Sequence, residues 1–222
     1  MSAEDFALLA AHLKPCSASK GTVLFEKDQP IESVWFMDIG IGSIITVSAE
    51  GQRVESGIFG RDGFAPVAAV LGGDRSPHDG QVQLPGDCHR ISFEGFKQAI
   101  SQSPSLHGLL LRYAHALSVQ TSYTALSNAI HPIEERLARW LLMCHDRSDD
   151  NTLPLTHDFM SVMLAVRRPS VTTSLHVLEG NGFIRAERGC IIIRDRAGLE
   201  EFAGDAYGPP EREYERLIGP LR

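Results

Sequence analysis

From Gly21 to about Phe93 the chain is written in short β-rich runs: GTVLFE, SVWFMDI, GSIITVSA, RVESGIF, GQVQL and CHRISF. Turn residues separate them at Asp28–Pro30, Gly40, Glu50–Gly51 and Gly72–Pro77. Short strands recurring about every 8–12 residues predict an antiparallel sandwich or barrel. Parallel strands would need crossovers of a dozen or more residues, usually helical, and no helical pattern lies between these runs. Past Phe93 the period changes to that of helices. The expected class is therefore α+β, with an N-terminal β-barrel and helices after it.

A short helix over Phe6–Leu13, ended by Pro15, should precede the barrel. Pro104 is placed for the first turn of a long helix reaching about Asn128, because its missing N–H would be unpaired there anyway. On it Leu110, Tyr113, Leu117, Gln120, Thr124 and Ser127 follow at spacings of three and four. That seam is apolar in its first half and polar in its second. Leu106, Leu109 and Leu111 add apolar surface on more than one side, and a helix apolar on two sides has two things to pack on. One is its own barrel. A second copy of the helix is the expected other, with Leu110, Tyr113, Leu117, Gln120 and Thr124 as the dimer interface. Pro132 opens the next helix, with Ile133, Leu137, Trp140, Leu141 and Cys144 inward and a polar loop, DRSDDNT, after it.

The stretch from Leu155 to Ile184 carries the function. Thr156 is placed as the N-cap of a short helix with Phe159, Met160, Met163 and Leu164 inward. Ala165-Val166-Arg167 makes a tight connection, and a second helix opens at Arg168-Pro169-Ser170. Val171, Leu175 and Leu178 face inward on it, while Ser170, Thr172, Thr173 and His176 face out. Gly180-Asn181-Gly182 ends it. Phe183–Ala186 and Cys190–Arg194, joined by Glu187-Arg188-Gly189, read as a hairpin. Two short helices across a tight turn, followed by a hairpin, describe a winged helix-turn-helix. Short hydroxyls and arginines at the start of the second helix suit phosphate oxygens and base edges. The expected DNA contacts are Thr156, Arg167, Arg168, Ser170, Thr172, Thr173, His176 and Arg188.

Charge sharpens that expectation. The net charge of −7 over 222 residues does not by itself suggest a nucleic-acid partner. Yet Thr152 to Arg196 holds six Arg against four Asp+Glu, whereas Met1 to Ile130 holds nine Lys+Arg against thirteen Asp+Glu. The acidity lies away from the candidate DNA face. Other classes find little in the chain. No GxSxG, HExxH, P-loop or GxGxxG is present, so no enzyme is expected. The four cysteines are scattered without a CxxC, and no metal is expected. No apolar run approaches the length of a membrane span, and MSAEDFALLAAHLKP lacks the layout of a secretory signal. A cytoplasmic protein is expected.

These residues together resemble the CRP–FNR family of bacterial transcription regulators, from Gly21 to about Phe202. The β-region resembles the cyclic-nucleotide-binding jelly roll, with Gly42-Ser43 and the Glu50-Gly51 turn in family positions. PIEERLARW (Pro132–Trp140) resembles the link to the DNA-binding domain. The resemblance implies four parts: a sensor domain over 1–103, a dimerisation helix over 104–130, a winged helix-turn-helix over 131–203 and a tail over 204–222. It also implies a homodimer on a palindromic DNA operator, with RNA polymerase as a further partner. Pro169 stands where an acidic residue usually follows the recognition arginine, and Thr173 where a later arginine is usual, so the family's TGTGA-type half-site is not expected. In cyclic-AMP-binding members a glutamate holds the ribose and an arginine–serine pair holds the phosphate. Here Ala65-Pro66-Val67 replace the first, while Arg75-Ser76 could stand for the second, with Thr121 and Ser122 near the base. Those four make a candidate effector pocket in which cyclic AMP is not expected. The alternative is a nucleotide- or small-ligand-sensing module whose C-terminal domain contacts protein rather than DNA.

Overall fold

The computed structural model describes residues 1–221. A short helix, α1 (Ala3–Ala10), leads into eight strands: β1 (Lys14–Ala18), β2 (Val23–Phe25), β3 (Ser33–Met37), β4 (Ile41–Val47), β5 (Arg53–Phe59), β6 (Phe64–Ala65), β7 (Asp79–Leu84) and β8 (Gly86–Ser92). They form two antiparallel four-stranded sheets, ordered β1-β8-β3-β6 and β2-β7-β4-β5. The expected barrel is thus an open, jelly-roll-like sandwich. Strand β1 was not among the expected strands because Pro15 and Lys14 disguise it, and β6 is only two residues long.

Helix α2 (Phe93–Gln102) closes one end, and α3 (Pro104–Ile130) runs along the sandwich. Ser103 caps α3 by accepting from the N–H of Leu106 at 3.1 Å, and Pro104 fills the first helical position as its chemistry predicts. The helix stops at His131, the residue before Pro132, where αR geometry is disfavoured. Phe64 gathers the core here, with its ring 5.6 Å from Phe36, 5.7 Å from Phe96 and 5.1 Å from Tyr113 of α3. Gly63 permits that last approach, because a Cβ there would lie 1.9 Å from the Tyr113 ring.

This packing corrects one expectation. Leu110, Tyr113 and Leu117 are buried against the chain's own sandwich. Gln120 is buried too, and its Oε1 accepts from the N–H of Ile58 on β5 at 2.8 Å. Thr124 is half-buried and donates to the carbonyl of Gln120. Of the five residues expected to face a partner helix, Leu110, Tyr113, Leu117 and Gln120 are thus covered by the chain itself. The outward stripe of α3 is instead Leu111, Ser118, Ser122, Leu126 and Ile130, all exposed.

Helix α4 (Ile133–Asp146) begins a second core with α5 (His157–Met163) and α6 (Arg168–Gly180). Strands β10 (Ile184–Glu187) and β11 (Cys190–Ile193) form the expected hairpin, and β9 (Thr152–Leu153), at the end of the expected polar loop, adds a third strand. Two further helices, α7 (Arg196–Ala203) and α8 (Pro209–Leu217), were not foreseen. The first packs on α4 and the second returns to α3, where Arg112 Nε donates to the carbonyl of Leu217 at 3.1 Å. Among the described residues no helix is long and apolar enough to cross a membrane.

Candidate DNA-binding face and effector cavity

Helices α5 and α6 are locally determined. Thr156 caps α5 through Oγ1, which accepts from Phe159 N at 3.4 Å, so its hydroxyl serves the helix end. The turn passes through Ala165 in the left-handed region, φ 51°. Arg136 of α4 donates to the carbonyl of Leu164 beside it. Arg167 precedes α6 and Pro169 sits in its first turn. Val171, Leu175 and Leu178 are fully buried, which fixes the opposite side of α6 as its outer face.

On that face Arg168, Thr173 and His176 are exposed and Thr172 is half-buried. Arg167 is exposed just before it, and Arg188 is exposed at the tip of the hairpin. Ser170 is half-buried on the flank. Arg168 Nε pairs with Asp158 of α5 at 3.0 Å, with both side chains more than half exposed, so the pair holds the guanidinium only weakly. Thr172 Oγ1 lies 3.0 Å from His157 Nδ1, and Thr173 Oγ1 donates to the carbonyl of Pro169 at 3.1 Å. Arg168, two hydroxyls and an imidazole thus line the outer side of α6, with Arg167 at its N-cap. Such donors suit phosphates and base edges.

The candidate effector residues divide. A cavity of about 310 Å³ lies between the sandwich and α3, with Phe25, Ile44, Val67, Leu71 and Leu117 in its wall. Ser76 and Thr121 line it as expected. Arg75 does not: it is exposed, and Nη1 donates to the carbonyl of Asp28 at 2.7 Å. Ser122 points outward and donates to the carbonyl of Ser118 at 2.9 Å. The arginine–serine pair expected for a cyclic phosphate is therefore not assembled; neighbours on an irregular loop point different ways. Pro66 also lines the cavity, where the resemblance places a ribose-binding glutamate.

A third site was missed. Where the sandwich meets α4 and α5, Glu55 is buried, with Trp140 Nε1 donating to Oε1 at 2.6 Å. Ser43 Oγ lies 2.6 Å from Glu55 Oε2 and 2.9 Å from Gln83 Oε1. The one hydroxyl proton of Ser43 cannot serve both acceptors, so a proton on Glu55 completes the chain. Burial pushes the Glu55 carboxyl up to about 7, against the hydrogen bonds from Ser43 and Trp140. Nearby, Arg147 grips Asp62 with two bonds, at 2.9 and 2.6 Å, both side chains 3% exposed. Arg147 Nη1 also donates to Met143 O, and Gly60 N donates to Asp62 Oδ1. Tyr214 of α8 donates to the carbonyl of Asp62 at 2.8 Å. Strict alternation in RVESGIF would put Glu55 on the Phe59 face, inside the sandwich, but an extra residue between Glu55 and Gly57 shifts the register and turns Glu55 to the Ile58 face, against α4. Nothing local links Asp62 to Arg147, 85 residues away.

A jelly-roll sandwich, a long helix along it and a winged helix-turn-helix beyond define a DNA-binding regulator with a ligand-binding type of N-terminal domain. The model of the cyclic nucleotide-binding domain matches residues 15–103, and that of the Crp-like helix-turn-helix domain matches residues 135–202. The chain belongs to the CRP–FNR family of transcriptional regulators. Among solved structures it is similar to FixK2 from Bradyrhizobium japonicum, with TM-score 0.73 and 15% identity over 86% of this chain and 96% of that one. A CRP-family transcriptional regulator from Thermus thermophilus gives TM-score 0.67 and 14% identity, covering 86% and 96%. The c-di-GMP-responsive global regulator CLP of Xanthomonas campestris gives 0.65 and 18%, covering 87% and 99%. At these identities the likeness is one of fold. No curated protein matches the chain by sequence.

Proposed function

We propose that the protein is a homodimeric, sequence-specific DNA-binding regulator that controls promoters without using cyclic AMP. The observation that carries the DNA contact is the outer face of α6, where Arg168, Thr172, Thr173 and His176 lie together between Arg167 and the hairpin's Arg188. The dimer forms along the outward stripe of α3, Leu111, Ser118, Ser122 and Leu126, which the sandwich leaves uncovered. Two copies so joined bring two recognition helices to a palindrome whose half-sites lie about 34–36 Å apart. RNA polymerase is the further partner we infer, and transcription in vitro with the selected site tests that contact. The lack of a cation in the cavity wall argues against a cyclic phosphate there.

Selection of bound sequences from a random DNA library, followed by mobility shifts over a salt series, tests the reading. A palindromic site is expected, and Arg168→Ala should weaken it by about 1–3 kcal/mol if the contact is to a base edge. A phosphate contact would instead weaken all sequences alike and flatten the salt slope. Failure to enrich any sequence, with the protein folded, would overturn DNA recognition. Calorimetry with cyclic AMP should give no micromolar binding.

A further inference from the structure

The cavity between the sandwich and α3 has unusual chemistry for a pocket lined by so many hydroxyls. None of its fourteen lining residues is Lys, Arg, Asp or Glu, and nine are apolar. Each hydroxyl proton is already committed to the chain's own backbone, which leaves these oxygens only as acceptors. Ser56 Oγ donates to Ile44 O at 3.1 Å, Thr121 Oγ1 to Leu117 O at 3.0 Å, Ser118 Oγ to His115 O at 2.7 Å and Ser76 Oγ to His78 O at 2.8 Å. The one other polar side chain in the wall is the imidazole of His78. Its Nδ1 faces Thr46 Oγ1 at 3.3 Å, and its Nε2 has no protein partner among the described residues. Burial and the nearby ammonium of Lys27 hold His78 below its usual pKa, so the ring is neutral at pH 7. Lys27 itself donates to Val47 O and does not line the wall.

We propose that this cavity binds a compact, uncharged, mainly apolar molecule whose single polar group hydrogen-bonds His78 Nε2. The volume of about 310 Å³ is at the small end of ligand pockets, about 300–1,000 Å³. An anion entering it would give up water and meet no cation, which is costly, whereas an apolar guest gains from burial. Helix α3 supplies Ala114, Leu117, Ser118 and Thr121 to the wall, so a guest touches both the sandwich and the proposed dimer helix. Its action as an effector rests on the DNA-binding reading; its binding does not.

The test uses the full chain and N-phenyl-1-naphthylamine, a neutral dye that fluoresces in apolar sites, beside its 8-sulfonate, which has the same rings and a negative charge. Saturable uptake of one neutral dye per chain is expected, with the sulfonate at least tenfold weaker and millimolar cyclic AMP unable to displace it. Ala68→Trp fills the cavity from the sandwich side and Thr121→Trp from the helix side; either, folded by circular dichroism, should abolish uptake. His78→Phe should erase the preference for 1-naphthol over naphthalene that the wild type shows. Equal or tighter binding of the sulfonate, or uptake that survives in both filled variants, would overturn the proposal. A chain that takes up the dye but shifts no DNA would sink the regulator reading and support the cavity. A chain that shifts DNA but takes up no dye would do the reverse.

Discussion

The β-sandwich is met by helices of its own chain on two sides, and the two contacts are built from opposite chemistry. Along α3 the contact is mainly apolar, with one buried side-chain bond from Gln120 to β5; around the cavity its hydroxyls are tied to backbone carbonyls, and space remains between the layers. Against α4 and α5 it carries two groups of buried polar side chains, Glu55, Ser43, Gln83 and Trp140 bonded together and Asp62 paired with Arg147. Apolar packing of the first kind tolerates rearrangement about a guest, because its attraction is non-directional. The second kind allows few arrangements, because each displaced group leaves another unpaired at full desolvation cost. One side of the sandwich is suited to receive a ligand and the other to hold the DNA-binding domain in register.

The comparison breaks most easily at the ion pair. Asp62→Ala should strand the buried Arg147 charge and cost about 3–5 kcal/mol in urea unfolding, and a second change, Arg147→Met, should recover much of it. If the single change costs under about 1 kcal/mol, the contact is not a locked one. On the other side, Leu110→Ala should cost about 2–5 kcal/mol because its side chain fills the sandwich core. Leu126→Glu, on the exposed stripe, should change fold stability by about 0.5 kcal/mol or less yet give a monomer in light scattering. Reversed effects would restore the buried seam as the dimer interface.

Glu55 sharpens the contrast through pH. Its folded pKa of about 7 lies above the ordinary value of 4.5, so its contribution to stability is complete below 4.5 and is lost as pH rises through about 7. The wild type should therefore lose about 3 kcal/mol across that window relative to Glu55→Gln, whose amide does not titrate. Parallel profiles for the two proteins would show that the carboxyl is ionised throughout. The smallest effect is expected at Thr121→Val in the cavity wall. Since that hydroxyl serves only its own helix, stability should change by about 0.5–1 kcal/mol and uptake of the neutral dye should be retained.

What could be read from the chain follows the range of the forces involved. Helices α5 and α6 were legible because caps, turn and inward positions lie within thirty residues of one another. The spacing on α3 showed which residues share a side, but periodicity does not tell which neighbour covers them, and the sandwich took Leu110, Tyr113 and Leu117. Arg75 and Ser76 are adjacent in sequence, yet only Ser76 reaches the cavity, because loop direction is set by Pro30 and Asp28, which contact Arg75 from elsewhere in the chain. Strand β1 and helices α7 and α8 owe their form to partners far away in sequence: β8, α4 and α3.

The return of α8 to α3 has a mechanical consequence. Besides its packed contact with the sandwich, the helix-turn-helix and its hairpin are tied back toward α3 at both ends. One tie is α4, joined directly to α3 through His131 and Pro132; the other is α8, held by Arg112, by His115 to Glu213 at 3.3 Å and by Tyr214 to Asp62. A body fastened at one point can swing in any direction, like a lamp on a cord. With α8 in place, the recognition helix is restrained from both ends of its domain, so a displacement of α3 reaches it by two routes, α4 and α8.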